Sequence, residues 1–276
     1  MSFRKRISLD GNWQFQIDPT GGQEVAVIQA WRTAQVPLPW QAQFEDLRHT
    51  SGVGWYRRTF TLEQPAPEQV LFVTFGAVDY QATVWVNGRR VGEHEGGYLP
   101  FEFDITGVAQ AGENEIVVRV ADPTDDTTRW SMYPFSEIPH GKQSWYGPIS
   151  GIWQSVSLEQ RSELYLRSVR VTPLPDEQVM VLTVRCSEFD LPGDAEIGVS
   201  VLDPDGIVVA ERVVANGVES RLRLGTPPVR LWSPDTPALY TVVVTLKVNG
   251  QSLDEIQERC GFRTIEARDG RIYLNG

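Results

Sequence analysis

Pairs of carboxylates are the first residues in this sequence that could do chemistry. Enzymes that cleave sugars use two such groups, an acid and a nucleophile or base, at a fixed separation. Neighbouring acidic residues occur as Asp125-Asp126, Glu93 with Glu95, Asp122 with Asp125, and Asp254-Glu255. All of them fall in predicted loops or at predicted strand ends, and any acidic protein carries such pairs by chance. Each pair is therefore expected to be solvated surface. None of them predicts a catalytic site by itself.

The other residue types that carry chemistry give no specific signature. His49, His94 and His140 have no Cys, His or carboxylate neighbour at the spacing of a zinc site. The sequence has no Gly-x-Ser-x-Gly elbow, no phosphate loop and no Gly-x-Gly-x-x-Gly fingerprint. A Ser/His/Asp triad stays open, since its members need not be neighbours in the sequence. We predict neither a metal site nor a cofactor.

Aromatic side chains beside polar groups are the remaining signal of a ligand. Exposed Trp and Tyr can stack on the apolar face of a sugar ring while amides and carboxylates bind its hydroxyls. The segment Asp122–Ser150 contains five aromatic residues among acidic and amide side chains: Trp130, Tyr133, Phe135, Trp145 and Tyr146. Alternatively, these aromatics cover the open end of a sandwich, and both interpretations stay open. Trp13, Trp85 and Trp153 lie within strand patterns and are expected in the core.

Composition and charge narrow the class of protein. The 276 residues suit one large domain or two ordinary ones, and 41% hydrophobic with 22% charged residues is ordinary globular usage. The net charge of -11, with no cluster of Lys and Arg, disfavours nucleic acid and mildly favours a neutral ligand. No apolar run follows the basic N-terminus, and no window reaches the ~20 apolar residues of a membrane span. These features predict a cytoplasmic protein with no membrane partner, and Cys186 and Cys260 are expected to be reduced thiols.

Short runs rich in Val, Ile, Thr and aromatics, separated by Gly, Pro, Asn and Asp, predict an all-β fold. The predicted strands include Val70–Phe75, Gln81–Val86, Glu115–Val120, Gly151–Leu158, Met180–Arg185, Glu196–Val201 and Tyr240–Val248. Asn-Gly or Asp-Gly pairs at positions 87, 216, 249 and 269 predict tight hairpins. Glu24–Arg32 is expected to form a short helix or an irregular segment. Ala34–Gly54 and Asp122–Ser150 are expected to be long irregular connections, which are usually functional.

A change of composition predicts a domain boundary near residue 160. Eight of the nine tryptophans precede it, and only Trp232 follows. The second half has evenly spaced strands with frequent turn signals, which fits an immunoglobulin-like sandwich. After it, Cys260–Glu266 and Arg271–Leu274 read as two strands joined at Asp269-Gly270.

Several stretches, taken together, resemble the N-terminal domains of family 2 glycoside hydrolases, which include β-galactosidases, β-glucuronidases and β-mannosidases. In the first half they are Leu9–Phe15, Val36–Trp40, Gly54–Phe60, Phe75–Tyr80, Val84–Gly88, Gly92–Tyr98 and Gly147–Trp153. In the second half they are Leu231–Pro234, Gly261–Arg263 and Tyr273–Gly276. The match covers nearly the whole chain, in order.

The resemblance implies a galactose-binding-like jelly-roll sandwich over 1–160, an immunoglobulin-like sandwich over 161–265, and the start of a (β/α)₈ barrel at 266–276. In this family the acid/base glutamate, preceded by Asn, and the nucleophilic glutamate both belong to the barrel. Neither has a counterpart in this sequence, so the resemblance implies no catalytic residue here. The parent protein is expected to be a retaining glycosidase that hydrolyses O-glycosyl bonds.

The resemblance also points to substrate-binding residues. In β-galactosidase-like members, an Asp just after the last long strand of the jelly roll reaches into the active site of the barrel. Asp122, which follows Val117–Ala121, matches that Asp by its context. Gln143, Trp145 and Tyr146, in the connection that follows, are predicted as additional contacts.

Three interpretations of function follow. The leading one is a non-catalytic, carbohydrate-binding and scaffolding region whose partners are a β-glycoside and the protein's own C-terminal barrel. The second is a stand-alone lectin-like module that binds carbohydrate without a barrel. The third is a set of domains that chiefly form the contacts of a homo-oligomer and touch no sugar.

Overall fold

The fold is all-β, and it divides into two units. The computed structural model describes residues 3–18, 21–22, 30–63, 68–132, 135–138, 149–225 and 228–276. The N-terminal unit is Lys5–Gln160, and the C-terminal unit is Arg161–Gly276 together with Phe3 and Arg4. No helix in the described ranges is long and apolar enough to cross a membrane.

The N-terminal unit is a jelly-roll sandwich of two larger sheets and one short strand pair. Its strands are β1 Lys5–Ser8, β2 Gly11–Asp18, β3 Arg32–Val36, β4 Gly52–Leu62, β5 Gln69–Phe75, β6 Val78–Asp79, β7 Gln81–Val86, β8 Arg89–Glu95, β9 Phe101–Asp104, β10 Gly112–Asp122, β11 Gly151–Ile152 and β12 Val156–Ser162. The sheet orders are β3-β2-β4-β10-β7-β8, β1-β12-β5-β9 and β11-β6. Helix α1 spans Trp40–Gln43, and short 3-10 helices span Glu45–Leu47 and Phe135–Glu137.

Buried side chains from both larger sheets form one core in this unit. The central strands β4 and β10 pair antiparallel along their whole length, with Val118 opposite Tyr56. Successive side chains of a strand point to opposite faces, so one set enters the core and the other covers the outside of the sheet. Trp13 lies in the core, as predicted, and its indole N–H donates to the Leu9 carbonyl at 2.7 Å.

The outer face of the six-stranded sheet carries a second apolar cluster. Trp55 and Trp130 are buried there together with valine and alanine side chains, and Trp85 packs against them while half-buried. The ring centroids of Trp55 and Trp85 are 5.6 Å apart. Trp130 therefore covers the sandwich. Of the two interpretations given for the aromatic residues of this segment, sugar stacking and sandwich cover, the second applies to Trp130.

Three of the four predicted hairpin turns have the expected backbone. Both central residues have positive φ at Asn87-Gly88 (50° and 77°), Asn249-Gly250 (51° and 75°) and Asp269-Gly270 (52° and 69°), as a type I′ turn requires. At the fourth, only Gly217 has positive φ. There the Asn216 side chain anchors the backbone instead, since it accepts a hydrogen bond from the Cys186 amide and donates to two carbonyls.

Several predicted elements differ from the observed ones. The predicted strand Cys260–Glu266 is not continuous, because one observed strand ends at Cys260 and the next begins at Ile265. Arg32–Val36 forms edge strand β3, paired with β2, where a helix or irregular segment and a long connection were expected. Of the predicted helical segment, residues 23–29 lie outside the described residues. The predicted strand Gly151–Leu158 is two strands, because Trp153–Ser155 leaves the ladder and Gln154 donates its amide to the Ala77 carbonyl at 3.3 Å. The Val36–Pro37 and Asp79–Tyr80 peptide bonds are cis.

The C-terminal unit is an immunoglobulin-like sandwich followed by a hairpin. Its strands are β13 Leu166–Leu174, β14 Val179–Cys186, β15 Ala195–Leu202, β16 Val208–Val214, β17 Glu219–Arg223, β18 Tyr240–Val248, β19 Gln251–Cys260, β20 Ile265–Arg268 and β21 Arg271–Leu274. The sheet orders are β13-β14-β17, β16-β15-β18-β19 and β20-β21. The Tyr240 hydroxyl, at the start of β18, accepts a hydrogen bond from the Arg230 amide at 3.0 Å, as in the tyrosine corner of immunoglobulin-like domains.

A buried ion pair also holds the C-terminal unit together. Asp254, 1% exposed, accepts hydrogen bonds from Arg4 Nε at 2.9 Å and Nη2 at 2.7 Å, and from the Leu166 amide at 2.8 Å. The expectation that Asp254-Glu255 is a solvated pair is therefore wrong for Asp254. A register shift in β19 accompanies its inward position.

Candidate functional site

Asp122 is the last residue of β10, where the longest strand pair of the jelly roll ends opposite Gly52. Its side chain is buried, with 4% of the residue exposed. The Ser150 hydroxyl, itself fully buried, donates a hydrogen bond to Asp122 Oδ2. Donation of this kind favours the charged form of a carboxylate and fixes its orientation.

Gln41 of helix α1 holds Ser150 in place. Its Nε2 donates to Ser150 Oγ at 2.6 Å and to the Thr50 carbonyl at 2.9 Å, and its Oε1 accepts from the Ser150 amide at 3.0 Å. The Trp40 amide donates to the Ser150 carbonyl at 3.2 Å. The connection between β3 and β4 therefore fixes the hydroxyl that orients Asp122.

A second buried carboxyl group, that of Asp79, lies on a strand in contact with β10. Asp79 ends β6 and pairs with Gly151, the residue after Ser150, while Gln81 pairs with Ala121, the residue before Asp122. Asp79 is buried, with 7% of the residue exposed. Burial, and then the charge of Asp122, raise the pKa of Asp79 to about 7.

Gly97 closes over the Asp79 carboxyl. A Cβ at position 97 would lie 2.5 Å from Asp79 Oδ1 and 3.0 Å from Oδ2, so only glycine allows this approach. The Trp153 indole donates to the Gly97 carbonyl at 2.8 Å. Tyr98 follows, 46% exposed, with its ring edge-to-face against Trp153 at 5.9 Å between centroids. An exposed aromatic residue thus directly follows the glycine that covers the Asp79 carboxyl.

This arrangement can bind hydroxyl groups but contains no catalytic constellation. One oriented carboxylate accepts hydrogen bonds, and a neutral carboxyl beside it can donate one. No group of three or more His, Cys, Asp or Glu side chains in the described ranges could hold a metal ion.

The other predicted site residues have different outcomes. Gln143, Trp145 and Tyr146 lie outside the described residues, as does His140. His49 is exposed. His94 stacks on Phe101, with ring centroids 4.1 Å apart, and burial lowers its pKa. His94 is therefore a packing residue.

The site residues predicted from the sequence did not include Asp79, Gln41, Ser150 or Tyr98. Asp79 and Tyr98 lie inside stretches that carry the family resemblance, and this was their only signal. Gln41 and Ser150 meet across 109 positions of sequence. Hydrogen bonds between these two distant segments bring Gln41 and Ser150 together, and no local sequence pattern indicates the contact.

Cavities lined by described residues lie away from this site. One of about 620 Å³ is a polar groove on the sheet of the N-terminal unit, lined by Asn12, Trp13, Gln14, Thr33, Arg57, Arg58, Thr59 and Glu115. One of about 410 Å³ lies in the C-terminal unit between the Pro175–Gln178 turn, the Pro228–Leu231 segment and the end of the hairpin. Neither is lined by the carboxyl pair.

Comparison with known proteins agrees with the fold. The family model for the sugar-binding domain of glycosyl hydrolases family 2 matches residues 6–162, and a second model of glycosyl hydrolases family 2 matches residues 164–263. The chain therefore belongs to glycosyl hydrolase family 2, as the sequence resemblance indicated.

Individual relatives are similar over nearly the whole chain. A β-glucuronidase of Paenibacillus borealis is 30% identical over 99% of this chain, which spans 48% of that protein. A β-galactosidase of Thermoanaerobacter pseudethanolicus is 32% identical over 97% of this chain, which spans 35% of that protein. The structure of a Ruminococcus gnavus β-glucuronidase in complex with D-glucuronic acid aligns over 99% of this chain and 48% of its own, with a TM-score of 0.79 and 26% identity. The chain thus spans half or less of the length of these relatives.

Proposed function

We propose that this chain is the non-catalytic, carbohydrate-contacting and supporting region of a retaining family 2 β-glycosidase. The observation that carries the proposal is the Asp122 carboxylate, fixed at the end of β10 by the buried Ser150 hydroxyl. By its context after the last long strand of the jelly roll, Asp122 resembles the Asp that reaches the active site in β-galactosidase-like members. The catalytic glutamates belong, in this proposal, to a (β/α)₈ barrel outside the 276 residues.

The chemistry of Asp122 supports a role in binding rather than in bond cleavage. A carboxylate whose orientation is set by Ser150 and Gln41 can accept hydrogen bonds from the hydroxyls of a sugar, and charge-assisted hydrogen bonds are about twice as strong as neutral ones. Because the residue is buried, little water competes for its exposed edge. Tyr98 offers an apolar ring nearby, which suits the apolar face of a sugar.

The relatives set the class of substrate and partner in this proposal. Their names include β-glucuronidases and a β-galactosidase, so the ligand is proposed as a β-glycoside. The partner is the remainder of a longer chain, because the relatives are two to three times as long as this one. Gln143, Trp145 and Tyr146 remain proposed contacts, and a cytoplasmic location remains part of the proposal.

The experiment is a kinetic comparison in the longer protein that contains this chain. Asp122→Asn is expected to lower kcat/KM on aryl β-D-glucuronides or β-D-galactosides by about 10- to 150-fold, the equivalent of one charged hydrogen bond of about 1.5–3 kcal/mol. Asp125→Asn, which removes an exposed carboxylate from the same connection, is the matched control and should leave kcat/KM unchanged. Equal kinetics for Asp122→Asn and wild type, with both folded by circular dichroism, would refute the role of Asp122.

Calorimetry on the 276-residue chain alone separates this proposal from a lectin-like module. Titration with methyl β-D-glucuronide or methyl β-D-galactoside is expected to give no saturable heat, because the barrel completes the pocket. Saturable binding that is lost in Asp122→Asn would favour the stand-alone module.

A further inference from the structure

The carboxyl groups of Asp79 and Asp122 form a pair that the proposed binding role of Asp122 does not use. They lie on strands β6 and β10, which are in contact, and both are more than nine-tenths buried. Ser150 is adjacent in sequence to Gly151, the strand partner of Asp79, and bonds to Asp122. Two carboxylates buried on contacting strands cannot both carry their charge without a cost in free energy.

The surroundings of the two groups differ, and the difference decides where a proton resides. Asp122 accepts the Ser150 hydroxyl, which favours its charged form. Asp79 lies under the Gly97 backbone, and within the described ranges no lysine or arginine forms an ion pair with it. Asp79 is therefore the group that gains most from being neutral.

The titratable groups on the elements packed against Asp79 do not neutralise it. Strand β10 contributes Asp122, and β11 and the Gly96–Tyr98 segment contribute no acid or base near the carboxyl. On β8, Glu95 accepts the Tyr80 hydroxyl at 2.9 Å and Glu93 pairs with Arg90. His94 is stacked on Phe101, and burial lowers its pKa, which favours the neutral ring.

We propose that Asp79 and Asp122 hold one proton between them at mildly acidic pH, and that neutral Asp79 is a positioning residue for the Asp122 carboxylate. This inference rests on the proposed function for the identity of what Asp122 binds. In the paired state the two carboxyl groups carry one proton and one negative charge between them. When that proton is lost at higher pH, the two charges repel, and this repulsion opposes the orientation that the Ser150 hydroxyl gives to Asp122.

A carboxyl titration on the 276-residue chain tests the shared proton directly. The protein is labelled with ¹³C and ¹⁵N, the Asp79 carboxyl resonance is assigned through its own backbone amide, and its shift is followed from pH 4 to pH 9. The Asp79 carboxyl is expected to titrate near pH 7, and Asp122→Asn should move its midpoint to lower pH. The matched control Asp125→Asn should leave the midpoint in place. An Asp79 midpoint at the ordinary value of about 4, or one that Asp122→Asn does not move, would overturn the proposal.

A pH profile of the longer protein tests the positioning role. The ratio of kcat/KM for Asp79→Asn to that for wild type is expected to rise by up to about 30-fold between pH 6 and pH 8.5, the change in protonated fraction for a group with a pKa of about 7. A ratio that is constant with pH would mean that Asp79 is merely structural. The two proposals fail separately: unchanged kinetics in Asp122→Asn refute the sugar contact and leave the titration result standing, whereas an ordinary Asp79 midpoint refutes the pair and leaves the sugar contact standing.

Discussion

Replacing Asp79 by asparagine is expected to change how the stability of the N-terminal unit depends on pH. Burial and the charge of Asp122 raise the pKa of Asp79 from 3.8 to about 7 in the folded chain. Between these values the folded chain keeps a proton that the unfolded chain has lost. The stabilisation linked to that proton is therefore complete below pH 4, falls as the pH rises, and is gone above pH 7. At 1.36 kcal/mol per pKa unit, the wild-type protein loses up to about 4 kcal/mol over this interval.

The measurement is urea unfolding at half-unit steps from pH 4 to pH 8, followed by tryptophan fluorescence. Eight of the nine tryptophans precede residue 160, so the signal reports mainly on the N-terminal unit. Asparagine cannot ionise. The free energy of unfolding of Asp79→Asn, relative to that of wild type at the same pH, should therefore increase as the pH rises. The gain should approach about 4 kcal/mol by pH 8, an upper limit because water entry and local relaxation reduce it. The control Asp125→Asn should parallel wild type, and a constant gap between Asp79→Asn and wild type at every pH would refute the reasoning.

Further changes have expected outcomes of their own. Gly97→Ala places a Cβ against the buried carboxyl and should cost about 1–3 kcal/mol, seen as a lower Tm by calorimetry, whereas Gly107→Ala has open space around its Cβ and should not show that loss. Asp254→Ala removes the carboxylate partner of the partly buried Arg4 guanidinium and should destabilise the C-terminal unit by about 3–5 kcal/mol in urea; Glu63→Ala, which breaks an exposed ion pair, should cost less than about 1 kcal/mol, and equal losses would contradict the burial argument. Tyr240→Phe removes one buried hydrogen bond to the backbone and should cost about 1–2 kcal/mol, and an unchanged unfolding midpoint would show that water replaces it.

The fold could be predicted from the sequence because its determinants are local. Alternating apolar residues gave the bounds of β7 and β18 as the structure has them. Asn87-Gly88 and Asn249-Gly250 specified their turns because asparagine and glycine tolerate positive φ. The break after Ile152 was missed because the backbone leaves the ladder to bond to Ala77, a long-range contact without a periodic signal.

The candidate site could be predicted only in part. Asp122 was predicted as a site residue from a family resemblance, which expects an Asp at the end of a long strand. The sequence around Asp79 looks like that of any strand end, so nothing in it marks this residue. Its position relative to Asp122 depends on the pairing of β6 with β11 and of β7 with β10. Gln41 is 109 residues from Ser150, so its role depends on the folding of two long connections. The predicted contacts Gln143, Trp145 and Tyr146 remain predictions.

Two contacts between distant parts of the sequence bear on the order in which this protein can fold. One is the pairing of strands β1 and β12, and the other is the ion pair between Arg4 and Asp254. Lys5 lies opposite Gln160, so the two ends of the N-terminal unit meet side by side, while Arg4 reaches a partner 250 positions further along the chain. During synthesis at about 5–20 residues per second, Arg4 waits roughly 12–50 seconds for Asp254 to be made. The N-terminal unit can close first, as an insertion within the C-terminal one. The C-terminal unit can thus be completed only after Asp254 has been made, because Arg4 binds there.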